Sequence, residues 1–194
     1  MLVYILAALA GYLIGSIPTA YIVVKQVTGQ DIRQIGSGNV GATNVKRAAG
    51  TKWFIFVLIL DLLKGTIPVL ISKQLYPDLY LLHVIVALMT VIGHSKSIYL
   101  GFAGGKSAAT GLGGIIGLAW LPALLLGLTA FAVTKLSRMV SLGSITASVL
   151  APVLMLLFHH PLEYVIYAGL AGAYVIFLHK ANIQRLLSGT ENRI

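Results

Sequence analysis

Residues 2–24, LVYILAALAGYLIGSIPTAYIVV, carry no charged side chain. A helix crosses the apolar core of a bilayer in about 20 residues. Backbone at that depth finds no water to bond, so it must be helical or part of a closed barrel. No other feature constrains the fold as strongly, and it recurs. Further apolar runs occupy 53–71, 79–94, 107–136, 141–158 and 162–178. The predicted class is an all-α membrane protein with one membrane domain over 1–194. Composition agrees, because 58% of the chain is hydrophobic and only 10% charged, far from soluble averages. The first run lacks a basic start and exceeds the apolar core of a signal peptide, so it is read as a retained first span.

Charge sets the expected topology. The run 107–136 is long enough for one tilted helix or for a hairpin of two short ones. A turn at Trp120–Pro122 gives seven transmembrane helices, the N-terminus outside and the C-terminus cytoplasmic. Lys25, Arg33, Lys46, Arg47, Lys52, Lys96, Lys106, Lys135, Arg138, Lys180, Arg185 and Arg193 then all lie inside, with Lys73 alone outside. One unbroken helix would move the last five of those inner cations outside. The positive-inside rule therefore selects the hairpin. The net charge of +9 suits inner loops and an anionic ligand better than nucleic acid. There is no cysteine, which excludes disulfides, thiolate metal sites and cysteine nucleophiles.

This topology brings three polar stretches to one side: GSGNVGATNVKR (36–47), GHSKSIYLGFAGGKSAAT (93–110) and HKANIQRLLSGTE (179–191). Each has the chemistry of phosphate binding. Glycine lets backbone approach closely, N–H groups and hydroxyls donate, and Lys or Arg supplies charge. Taken singly, glycines also serve helix packing and inner cations serve topology. Three such stretches on one face favour an anion site. GGKSAAT resembles the end of a P-loop, but the first Gly of that motif would fall on Leu100, and no parallel sheet is expected.

Other polar groups have simpler readings. Asp61 and Lys64 lie three apart on one helix face and are expected to pair and order the bundle. His83 and His94 are a span apart, His159 and His160 lie on the far side, and no HExxH spacing occurs, so no metal site is expected.

The three polar stretches resemble the motifs of the PlsY-type acyl-phosphate-dependent glycerol-3-phosphate acyltransferases of bacteria. The resemblance runs end to end and includes GSIPTAYI in the first span and DLLKG in the second. SGNVGATNVKR matches closely. In the second motif Gly93, His94, Phe102, Gly104, Gly105, Lys106, Ala109 and Thr110 match, while Lys96, Ser97, Ala103 and Ser107 depart from the pattern. The third matches at His179, Asn182, Ile183, Arg185, Gly189 and Glu191.

The resemblance implies transfer of a fatty acyl group from acyl phosphate to the 1-hydroxyl of glycerol 3-phosphate. The products would be lysophosphatidic acid and phosphate, with no cofactor or metal. It implies a monomer in the bacterial cytoplasmic membrane, its active site facing the cytoplasm. His179, Asn182, Ser37 and Lys106 are the implied catalytic residues, Asn182 as an oxyanion donor. Ser37, Asn39, Thr43, Asn44, Arg47, Gly104, Gly105, Lys106, Thr110, Arg185 and Glu191 are the implied substrate and phosphate contacts. The residues agree in one respect. The residue five after each His is Leu88, Tyr99, Tyr164, Val165 or Gln184, so the His-x4-Asp dyad of other glycerolipid acyltransferases is absent. An acyl phosphate is already activated, and a substrate phosphate can take the hydroxyl proton while His179 positions the nucleophile. A transporter of a phosphorylated metabolite is the rival from another class, but no inverted repeat is visible.

Overall fold

The computed structural model describes residues 1–193, and among them no strand occurs. The helices are α1 (Leu2–Ser16), α2 (Thr19–Thr28), α3 (Ala42–Ala49), α4 (Thr51–Leu75), α5 (Tyr80–Ser95), α6 (Ala108–Leu118), α7 (Trp120–Ser137), α8 (Val140–Leu157), α9 (Leu162–Leu178) and α10 (Lys180–Leu187). Among the described residues five stretches are long and apolar enough to span a membrane: Leu2–Thr28, Thr51–Leu75, Tyr80–Leu100, Trp120–Ser137 and Val140–Leu157. The pair α9 and α10, bent by 63°, brings the number to six. Leu6, Leu9, Ile59, Leu70, Leu128, Phe131, Val149 and Leu170 are exposed on the outer faces. Such a surface suits lipid, and the protein is a multi-pass membrane protein.

Two apolar runs are interrupted where hydropathy alone shows no break. The first stops at Ile17–Pro18, because Pro18 has no N–H to continue the ladder. The carbonyls left over find other donors. Ser97 Oγ donates to the Ser16 carbonyl at 2.6 Å and Lys64 Nζ to that of Ile17 at 3.0 Å. The run 107–136 divides at Ala119, one residue before the expected turn, into unequal arms of 11 and 18 residues. Pro122 falls in the first turn of α7, where helix N–H groups have no intrahelical partner and proline is tolerated. Lys73 Nζ donates to the free carbonyls of Gly117 and Leu118 at the end of α6, 3.1 Å each, a cation at a helix C-terminus.

Small residues set the helix crossings. A Cβ on Gly15 would strike the Thr90 backbone and one on Gly93 the Tyr12 carbonyl, so α1 and α5 meet backbone to backbone. Gly65 meets Thr110 and Gly113 meets Leu62 in the same way where α4 crosses α6. The main core gathers Ala87, Ile115, Leu126, Met155, Tyr167 and Ala171 between α5 and α9. A second, smaller core of Val23, Val24, Ile32, Val40, Val45 and Val57 lies beneath the first polar stretch. The polar segments are thus mounted on packed apolar bases at one end of the bundle.

Candidate active site

The first polar stretch is wound around one side chain. Asn44, on α3, is 1% exposed. Its Oδ1 accepts the Ser37 N–H at 3.2 Å, and its Nδ2 donates to the carbonyls of Ile32 (3.1 Å) and Ile35 (2.9 Å). Gly36 has φ 56° and Gly38 φ 68°, the left-handed region that glycine enters freely. A Cβ at Gly36 would also meet Asn44 Oδ1 and come within 3.2 Å of Arg47 Cδ. Arg47 therefore lies back along the loop that presents Ser37. Ser37 and Arg47 are exposed, and Asn39 and Thr43 are half-buried.

The second stretch is pressed against the end of α5. The Gly105 N–H donates to the His94 carbonyl at 3.1 Å. Gly105 has no room for a side chain, because a Cβ would run into His94 Nε2 and lie 2.5 Å from the Val40 carbonyl. This contact joins the second stretch to the first. Ser107 stands at φ 59°, where the family pattern has glycine. Its buried hydroxyl donates to the Val91 carbonyl at 2.7 Å, which offsets part of the roughly 1–2 kcal/mol that a Cβ costs in that region. Ser97 and Lys96, two further departures, are tied to α1, the latter through Tyr12 OH on its carbonyl at 2.7 Å.

The third stretch forms the bend between α9 and α10. His179 is 5% exposed, and its Nδ1 lies 2.7 Å from the Val175 carbonyl. A carbonyl only accepts, so Nδ1 carries the proton and Nε2 of the neutral ring is an acceptor. Burial lowers its pKa from the ordinary histidine value, with Lys106 adding to the effect and the Val175 hydrogen bond and Glu191 opposing it. Asn182 opens α10. Its Nδ2 donates to Glu191 Oε1 at 2.6 Å, and its Oδ1 accepts from Lys106 Nζ. Glu191 also takes Ser141 Oγ at 2.8 Å and Arg185 Nε at 2.8 Å.

Lys106, Asn182, Glu191, Arg185 and Ser141 are therefore one chain of hydrogen bonds linking the second and third stretches to α8. Burial, and the cations Arg185 and Arg47, lower the Lys106 pKa against the opposing pull of Glu191. Burial works to raise the Glu191 pKa, but hydrogen bonds from Asn182, Ser141 and Arg185 outweigh it and leave the carboxyl below its usual range. Among the described residues the site is an assembly of donors around one carboxylate, Glu191, which accepts from Asn182, Ser141 and Arg185. A second anion would meet Lys106, Arg47 and Arg185.

Two of the expected contacts are turned inward. Thr110 is fully buried, with Oγ1 3.1 Å from His94 Nδ1, and Asn44 spends its amide on the loop backbone. Gly104 and Gly105 offer backbone only. Ser141 is a member of the site that the sequence did not single out, since one serine among many at the start of an apolar run carries no signal. The buried Asp61–Lys64 pair is present at 2.8 Å.

Comparison with known proteins identifies the family and the fold. The glycerol-3-phosphate acyltransferase family model matches residues 5–189. A glycerol-3-phosphate acyltransferase of Synechococcus sp. (strain JA-2-3B'a(2-13)) is 47% identical, with 100% of this chain and 96% of the relative covered. One from Moorella thermoacetica is 45% identical over 98% of this chain and 97% of its own. The crystal structure of PlsY (YgiH), an integral membrane glycerol 3-phosphate acyltransferase, in its glycerol 3-phosphate form superposes with a TM-score of 0.94. Identity there is 38%, covering 98% of this chain and 95% of that one. The lysophosphatidic acid form of the same protein gives a TM-score of 0.92 at 36% identity, with the same coverage. On its sequence and on its fold, this chain belongs to the glycerol-3-phosphate acyltransferase family.

Proposed function

We propose that this protein transfers a fatty acyl group from acyl phosphate to the 1-hydroxyl of glycerol 3-phosphate, releasing lysophosphatidic acid and phosphate. The observation that carries this reading is the joint from Lys106 through Asn182 to Glu191 and Arg185. It gathers donors from separate segments around Lys106 and engages the Glu191 carboxylate with three donors, so that it is a poor base. Two solved forms of one relative are named for glycerol 3-phosphate and lysophosphatidic acid, which are the acceptor and product of this reaction.

In the proposed reaction the 1-hydroxyl oxygen bonds to the acyl carbon and the carbon–oxygen bond to phosphate breaks. Ser37, Arg47 and Lys106 hold the phosphates, with Asn39, Thr43 and Arg185 close to them. Asn182 has one amide hydrogen beyond the one given to Glu191, and it faces the developing oxyanion. Nε2 of neutral His179 accepts a hydrogen bond from the 2-hydroxyl of glycerol 3-phosphate, which orients the acceptor and leaves the 1-hydroxyl proton directed at a substrate phosphate. The proton passes to a substrate phosphate, whose second pKa near 6 makes it a competent acceptor at neutral pH. Asn44 and Thr110 shape the loops without touching substrate. Two phosphates held at fixed distance supply the proximity that an activated acyl donor needs.

The membrane arrangement follows the same reading: one domain, a monomer in the bacterial cytoplasmic membrane, with seven membrane-embedded segments. α6 is the short one, and its amino end carries the Gly-Lys loop to the cytoplasmic surface. The C-terminus faces the cytoplasm and the N-terminus the outside. Single cysteines at exposed Ser188 and Asp78 are expected to label from opposite sides, and labelling from the same side overturns the topology. The activity is tested with purified protein, acyl phosphate and labelled glycerol 3-phosphate. Lysophosphatidic acid is expected with one phosphate released per product. Movement of label across sealed vesicles without product means a transporter instead.

A further inference from the structure

A buried polar cluster lies directly beneath the Gly-Lys loop and touches no solvent-facing part of the site. Asp61 on α4 is 1% exposed. Its Oδ1 accepts from Thr19 Oγ1 at the start of α2 and from Lys64 Nζ at 2.8 Å. His94 on α5 brings Nδ1 to 3.7 Å from the same oxygen and 3.1 Å from Thr110 Oγ1 on α6. Lys64 also holds the Ile17 carbonyl where α1 breaks. Asp61, Thr19, Lys64, His94 and Thr110, with the Ile17 carbonyl, thus tie five helices into one cluster, and the member nearest the site is His94.

His94 meets the loop twice. Its carbonyl takes the Gly105 N–H, and its ring edge occupies the space where a Gly105 side chain would stand. Gly104 packs on the His94 and Ser95 backbone. Between Lys64, His94, Ser97 and Gly104 only about 10 Å³ is open, room for one water. The loop therefore has almost no slack downward. The Val40 carbonyl of the first polar stretch abuts the same position at Gly105 as the His94 ring edge. A shift of the His94 ring is passed to Gly105 and, through the next peptide, to Lys106.

We propose that Asp61, Lys64 and His94 form a positioning unit, in which the His94 ring, held through Nδ1, fixes the Gly104–Gly105–Lys106 loop at the height where Lys106 meets the phosphate of glycerol 3-phosphate. The unit rests on the proposed role of Lys106 in substrate binding. None of its members touches substrate. A buried ion pair with a histidine and two threonines is a costly way to stabilise a membrane bundle, since apolar packing would serve as well. What it adds over apolar packing is direction, because each hydrogen bond fixes one atom.

The test separates positioning from stability. His94→Asn keeps a polar atom where Nδ1 lies but removes the ring edge beneath Gly105. It is expected to unfold within a few degrees of wild type. KM for glycerol 3-phosphate should rise about tenfold, equivalent to about 1.4 kcal/mol of lost binding, with KM for acyl phosphate little changed. His94→Gln, which places its amide where the ring edge was, is expected to restore most of that KM. Thr110→Val, which removes the hydroxyl that holds Nδ1 at nearly constant volume, should move KM in the same direction by a smaller factor, and it decides the matter if His94→Asn fails to fold. A purely structural cluster gives the opposite pattern, with unfolding temperature lowered and KM unchanged, and that overturns the proposal. Lys106→Ala is the control. If it retains wild-type KM, the substrate-binding role of Lys106 fails. If it loses binding while the His94 and Thr110 variants do not, only the positioning unit fails.

Discussion

Glu191→Gln removes one charge and almost no volume from the joint that holds Asn182 against Lys106. In the wild type, Oε1 takes Asn182 Nδ2 and Ser141 Oγ, and Oε2 takes Arg185 Nε. All three partners donate. A glutamine offers one oxygen and one NH2 group. With its oxygen toward Asn182 and Ser141, the amide nitrogen faces the Arg185 donor; with the reverse orientation two bonds are lost. The better arrangement forfeits one charge-assisted bond, worth roughly 1.5–3 kcal/mol. Arg185 is about one-third exposed (35%), and water can replace part of that bond, so the low end applies. If the loss is expressed in the transition state it lowers kcat by about tenfold. The assay is the initial rate with both substrates saturating, beside thermal unfolding in detergent. The sign of the pH effect follows from the depressed Glu191 pKa. The ionised form is favoured in the folded state, so its stabilisation is complete above the ordinary carboxylate range and disappears as pH falls through the lower, folded value. Wild type should lose more stability over that window than Glu191→Gln does. A Glu191→Gln variant with wild-type rate, stability and pH response would show that the joint does not orient Asn182.

Three further outcomes are expected. Arg47→Ala and Lys106→Ala should each lower activity by at least about tenfold, the value of one charge-assisted contact; near-normal rates in membrane-inserted protein would return these cations to a topological role. Gly113→Ala drives a methyl into the Leu62 backbone at the α4–α6 crossing and should destabilise by roughly 1–3 kcal/mol, read as a lower unfolding temperature; no change would mean the crossing is looser than it stands. Because burial keeps His179 neutral below its ordinary pKa, the acid limb of the rate profile should follow the phosphate near pH 6 and persist in His179→Gln; a limb that vanishes in that variant makes His179 the proton acceptor.

Much of the architecture is readable from the chain because lipid imposes one rule on every span. The runs 53–71, 79–94 and 141–158 become α4, α5 and α8 with only their ends adjusted. The breaks are harder to read. LIGSIPTAYIVV is continuous in hydropathy, and nothing local to it shows that the carbonyls freed at Ser16 and Ile17 will be met by Ser97 and Lys64. The division of 107–136 is visible in charge, whereas its position depends on where Pro122 is tolerated. Within the site, glycine–cation stretches point to phosphate chemistry, but the partners of Asn44 and Thr110 are fixed by packing. Both read as candidate ligands in sequence and stand as loop supports in the fold. Ser141 enters only through its three-dimensional neighbours, whereas His94 matches the second motif but has its contacts with Gly105 and Thr110 fixed by packing. The Asp61–Lys64 pair is legible from its spacing, since in-membrane charges at three residues' separation have each other as nearest partners. Its extension to His94 is not.

The central claim is the use of acyl phosphate by a site that binds two phosphates and supplies no base. It is tested most directly by giving the purified protein glycerol 3-phosphate with matched acyl phosphate, acyl-CoA or acyl carrier protein, and measuring lysophosphatidic acid. Product is expected from acyl phosphate alone, with phosphate released in equal amount. Product from either thioester at a comparable rate, or none from acyl phosphate, would contradict it.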